Sequence, residues 1–142
     1  MTVEQVFADT NLFLRYLTND VPAQADAVEI VLQRAAAGEL SLVTNVLVVA
    51  EIIWTLESFY KVDRIQIKDM VLSILNTPGL EVAESELILI AIFDYLDKNV
   101  DFIDAFNAAW AVDQGITAVY TFDRKHFNRL EGITCYIPGQ TS

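Results

Sequence analysis

Leu40-Ser41-Leu42-Val43-Thr44-Asn45-Val46-Leu47-Val48-Val49-Ala50-Glu51-Ile52-Ile53-Trp54 is the segment on which the fold turns. Leu40 to Thr44 has the length and composition of a short strand, Asn45 is a preferred helix cap, and the apolar run after it predicts a helix from Val46 to about Tyr60. The same order recurs on either side. Upstream, the short apolar stretch Gln5 to Ala8 meets the polar turn Asp9-Thr10-Asn11, and Leu12, Phe13, Leu14, Tyr16 and Leu17 follow at helical spacing. A second helix is expected from Ala23 to Ala37, stopped by Gly38. Downstream, Ile67, Val71, Ile74 and Leu75 mark a helix from Ile65 to Asn76, which Pro78-Gly79 closes before a strand at Leu80 to Ala83. Helices from Glu86 to Asn99 and from Asp101 to Gln114 come next. A buried strand is then expected at Thr117 to Phe122, and a last strand at Thr134 to Ile137. Short strands alternating with helices predict an α/β domain with a mainly parallel central sheet and helices on both faces. The active crevice of such a sheet lies beyond its strand C-termini.

Composition bounds the class. A chain of 142 residues with 54% hydrophobic content and positive mean hydropathy is sized for one domain, taken as residues 1–142, and excludes a disordered tail. Twenty acidic against nine basic residues give a net charge of −11, which argues against polybasic nucleic-acid binding and requires any nucleic acid to be held locally. The lone Cys135 cannot close an internal disulfide, the N-terminus lacks a secretion pattern, and no apolar run approaches the roughly 20 residues of a membrane span. A cytoplasmic setting is expected.

Most acids read as solvated helix faces, but four positions differ. Asp9 and Asp123 each follow an apolar strand, so two strands deliver a carboxylate to one sheet edge; a helix cap for Asp9 and a turn for Asp123 are the ordinary alternatives. Glu51 sits in an apolar helix, where partial withdrawal from water would call for a cation; the polar edge of an amphipathic helix is its alternative. Asp104 lies one turn after Asp101, among small alanines suited to close packing, and ranks above Asp101, which reads as a helix cap.

The segments Phe7-Ala8-Asp9-Thr10-Asn11, Val49-Ala50-Glu51-Ile52, Asp101-Phe102-Ile103-Asp104-Ala105 and Thr121-Phe122-Asp123 resemble the four motif blocks of the PIN-domain ribonucleases, in particular the VapC-type toxins of toxin–antitoxin pairs. The resemblance runs from about Gln5 to Ile137 and implies a three-layer PIN-like sandwich. It implies an endoribonuclease that hydrolyses RNA with a metal-activated water, with Asp9, Glu51, Asp104 and Asp123 as catalytic ligands of Mg²⁺ or Mn²⁺. Asn11, Thr121 and Asp101 would support them. A homodimer and an antitoxin that blocks the acidic site are the implied partners.

Oxygen ligands suit Mg²⁺ or Mn²⁺, whereas zinc calls for histidine or cysteine, and His126 and Cys135 read as too few and too isolated to form such a cage. Arg124 and Lys125, followed by His126 and Arg129, offer a local basic rim for the RNA backbone; a solvated loop is the alternative. Two rivals stand beside the nuclease. A Mg²⁺-dependent phosphatase would prefer Asp at position 11, where this chain has Asn11, and a non-catalytic module would use the acids only to bind a basic peptide or a structural ion.

Overall fold

β2 (Ser41–Thr44) is the central strand of a parallel three-stranded sheet, and its side chains alternate between half-buried and buried. β1 (Gln5–Phe7) pairs on one side, with Val6 opposite Leu42, and β3 (Leu80–Val82) on the other, with Val43 opposite Glu81. The hydrogen bonding continues past the strand ends. Ala8 N–H donates to the Val43 carbonyl at 2.8 Å and Ala83 N–H to the Thr44 carbonyl at 3.0 Å. The buried Thr44 hydroxyl donates to the Ala8 carbonyl at 2.9 Å, which satisfies a group that would be costly to leave unpaired and fixes the residue before Asp9.

This computed structural model describes residues 3–122 and 124–140, and the chain divides into two compact units, Met1–Ser85 and Glu86–Ser142. The first unit holds the sheet with α1 (Thr10–Thr18), α2 (Pro22–Ala36), α3 (Val46–Ser58) and α4 (Arg64–Leu75). α1 packs on α2 and α3, and α4 on α3 and β3. Pro22 begins α2, where its missing N–H costs nothing. The Asn45 side chain accepts from the N–H groups of Leu47 and Val48, as its position predicts, and Asp63 caps α4 through Gln66 N–H. Phe13, Leu14, Leu42, Val49, Ile52, Leu56, Ile67 and Val71 fill the core. Gly79 is obligatory: its φ is +80° and a Cβ would collide with the Ala35 carbonyl. Asp20, in the turn after α1, accepts from Tyr60 Oη at 2.6 Å and Thr18 Oγ1 at 2.9 Å, tying that turn to the end of α3.

The second unit follows with α5 (Ser85–Asp97), α6 (Phe102–Asp113), β4 (Ala118–Tyr120), a 3₁₀ turn (Phe127–Arg129) and β5 (Thr134–Tyr136). α5 starts on the last residue assigned to the first unit. β4 and β5 pair in parallel, with Val119 opposite Cys135. Buried side chains come from α5 (Ile88, Ala91, Ile92, Tyr95), from α6 (Phe102, Ala105, Ala108, Ala111) and from the 3₁₀ turn (Phe127), with Leu130 just after it. The expected burial of the Thr117–Phe122 strand is not observed. Among the described residues β4 pairs with β5 alone, so one edge stays open and Tyr120 is 77% exposed. The α/β class holds, since every described strand pair is parallel and six α-helices connect them. No helix among the described residues is long and apolar enough to cross a membrane.

Candidate metal centre

Asp9 stands at the N-cap of α1, directly after the residue that Thr44 and Val43 hold. Its backbone is extended, as a cap requires, yet its side chain accepts no capping hydrogen bond, and it is exposed. The carboxylate is therefore not consumed by its helix. Asn11, one residue into α1, is also exposed. Glu51 corrects the expectation that apolar neighbours would withdraw it from water. α3 buries Val48, Val49, Ile52, Ile53 and Leu56 on one side and leaves Leu47, Glu51 and Trp54 exposed. The helix has more apolar residues than it can bury, so an apolar neighbour in sequence does not mean a buried one.

In the second unit Asp101 is the N-cap of α6 and Asp104 lies in its first turn. The Asp101 side chain, like that of Asp9, makes no capping bond. Its Oδ2 instead lies 3.3 Å from His126 Nδ1, and Asp104 Oδ2 lies 3.1 Å from the same nitrogen. Asp104 is the more sheltered of the two acids, 30% against 65% exposed, in keeping with its higher rank. His126 is held from behind: Phe127 and Leu130 are buried, and Arg129 Nη1 donates to the Asn99 carbonyl at 2.7 Å, two residues before Asp101.

Two carboxylate oxygens this close to one ring nitrogen set its chemistry. Bearing a proton, Nδ1 donates to Asp104 Oδ2. The Asp101 backbone N–H, 3.4 Å away, bonds to that nitrogen only when it carries no proton. The ring nitrogen faces both carboxylate oxygens, so a cation placed among them would meet all three donor atoms. One donor atom each from Asp101, Asp104 and His126 falls within 4.8 Å of the others, the arrangement of a divalent-cation site with two oxygen ligands and one nitrogen ligand.

This corrects the reading of His126 as isolated. The residue lies 22 positions from Asp104 in sequence, so only the chain reversal through β4 brings them together, and no local pattern announces it. Of the supposed basic rim, Arg129 is engaged by Asn99 and His126 by the two acids, while Arg124 and Lys125 are exposed. Thr121 N–H donates to the Tyr136 carbonyl at 3.0 Å, extending the β4–β5 ladder by one residue. Asp123 lies outside the described residues. Partial burial pushes the Cys135 thiol up, and Cys135 is not among the residues that gather at His126. Thr44 is a further residue that the sequence does not single out, because a threonine in a strand carries no sign of which carbonyl it will meet.

Comparison with known families matches residues 6–133 to the family described as PIN domain. Comparison with curated proteins returns no match.

Proposed function

The chain belongs to the PIN-domain family, whose fold is that of metal-dependent nucleases, and from this premise we propose that it is an endoribonuclease acting as the toxin of a VapC-type toxin–antitoxin pair. In this reading residues 1–142 form one PIN domain, supported by a family match that takes in sequence from both units. Asp9, Glu51, Asp104 and Asp123 supply the carboxylates that hold Mg²⁺ or Mn²⁺, as their motif order supports, with Asn11, Asp101 and Thr121 assisting. The observation that carries the proposal is the convergence of Asp101, Asp104 and His126, two acids not used for capping and a histidine, in a chain of this family.

A divalent cation bound there would acidify a coordinated water and screen the phosphate charge. The chain's own contribution is placement. Asp9 is fixed within its own unit by the strand-end hydrogen bonds of Ala8, and Asp104 within its own by its contact with His126. Arg124 and Lys125 would contact RNA phosphates. Attack of water oxygen on phosphorus, with departure of the 3′ oxygen, leaves a 5′ phosphate and a 3′ hydroxyl. An antitoxin that covers the acidic site and a homodimer complete the proposed assembly in the cytoplasm.

The test is digestion of mixed cellular RNA by the purified protein with Mn²⁺, with Mg²⁺ and with chelator, beside Asp9→Asn and Asp104→Asn. Metal-dependent cutting, reduced about a hundredfold or more in both variants, is expected. A folded, metal-loaded, antitoxin-stripped protein that cuts no RNA overturns the proposal, as do products ending in 2′,3′-cyclic phosphate.

A further inference from the structure

Resting on the nuclease reading, we infer that His126 is itself a ligand of the metal, and that its imidazole makes the centre select Mn²⁺ over Mg²⁺. Nδ1 stands 3.1 Å from Asp104 Oδ2 and 3.3 Å from Asp101 Oδ2. Two ligands at right angles around an ion with bonds of about 2.1–2.2 Å are about 3 Å apart. Nδ1 therefore already sits at the separation of a neighbouring ligand from each of the two carboxylate oxygens. Imidazole nitrogen is a good ligand for Mn²⁺, Co²⁺ and Zn²⁺, whereas Mg²⁺ takes oxygen and retains its waters. An all-carboxylate centre does not discriminate in this way. The braced turn matters as well, because Arg129 on the Asn99 carbonyl and the buried Phe127 and Leu130 hold the ring where it is.

The chain contains one histidine, so any imidazole signal has one source. Untagged metal-free protein is titrated with Mn²⁺ and with Mg²⁺ by calorimetry, and the Mn²⁺ form is read by electron spin-echo modulation from ¹⁴N. Wild type is expected to show imidazole nitrogen coupling that disappears in His126→Gln and His126→Ala, each verified as folded by circular dichroism. Mn²⁺ affinity should fall about tenfold in both, with Mg²⁺ affinity within about twofold of wild type. Glutamine keeps a hydrogen-bond donor, so unchanged Mn²⁺ binding in His126→Gln would make His126 a brace for Asp104 and overturn the inference. Mn²⁺ bound by wild type without nitrogen coupling overturns it as well, while leaving the nuclease reading standing. Binding of Mg²⁺ but not Mn²⁺ by the wild type overturns the inference alone, and failure to bind either ion overturns both.

Discussion

Thr44 shows how one hydroxyl sets the position of a functional candidate. Its bond to the Ala8 carbonyl is buried and spans two strands, so Thr44→Val leaves that carbonyl without its partner. A loss of about 1–2 kcal/mol in urea denaturation is expected, with Thr44→Ser retaining most of the stability. At Asp20 the hydrogen bonds from Tyr60 and Thr18, aided by the charge of Arg15, hold the carboxyl below its usual range. A folded-state pKa below the unfolded one stabilises the protein above the ordinary carboxylate value, and that contribution disappears as pH falls through the depressed value. Tyr60→Phe should therefore flatten the acid limb of a plot of stability against pH, while changing its slope little above about pH 6. At this scale the sequence was informative about carboxylates and silent about their partners. Asp101 and Asp104 were legible from helical spacing, but His126, Thr44 and Tyr60 meet their partners across 22 to 40 positions, where no periodicity operates.

Helix starts separate into two kinds. Asn45 and Asp63 bond their own helices, whereas Asp9 and Asp101 occupy the same structural position and do not. Asn45→Ala and Asp63→Ala are expected to cost about 1 kcal/mol each in thermal unfolding. Asp9→Asn and Asp101→Asn should remain within about 0.5 kcal/mol of wild type, since no capping bond is lost. Gly79→Ala belongs with the costly group, because the left-handed turn and the Ala35 carbonyl both oppose a side chain. Element boundaries were legible because punctuation marks them: Gly38, Asn45, Pro78-Gly79 and Gly115 lie where helices or strands stop. The solvent-facing side of each element was less legible. α3 and β4 carry more apolar residues than their settings bury, so hydrophobicity alone misassigned the surroundings of Glu51 and Tyr120.

Across the whole chain, a net charge of −11 governs the response to salt and to cations. Like charges repel in the compact state, so moderate NaCl should raise the melting temperature, and Mn²⁺ should raise it further by binding the folded form. At a hundredfold excess over its dissociation constant, the ion would add about 2.7 kcal/mol by mass action, an increment that Asp104→Asn should largely remove. Differential scanning fluorimetry with chloride and with Mn²⁺ at matched ionic strength separates the two effects. Composition made the charge legible at once; its local pairings were not, since Arg129 and His126 each meet an acceptor within their own unit.

The bond from Arg129 to the Asn99 carbonyl fastens the turn that carries His126 to the residue shortly before α6. Two donors on the helix and one on the turn thereby share a single frame. Most of the entropy cost of arranging them is incurred when the chain folds, so an arriving ion meets a prepared socket and its capture is limited by loss of its own hydration. Arg129→Met would loosen that frame without touching a ligand. Stopped-flow measurement should then show Mn²⁺ escaping faster, with the departure rate rather than the arrival rate registering the change.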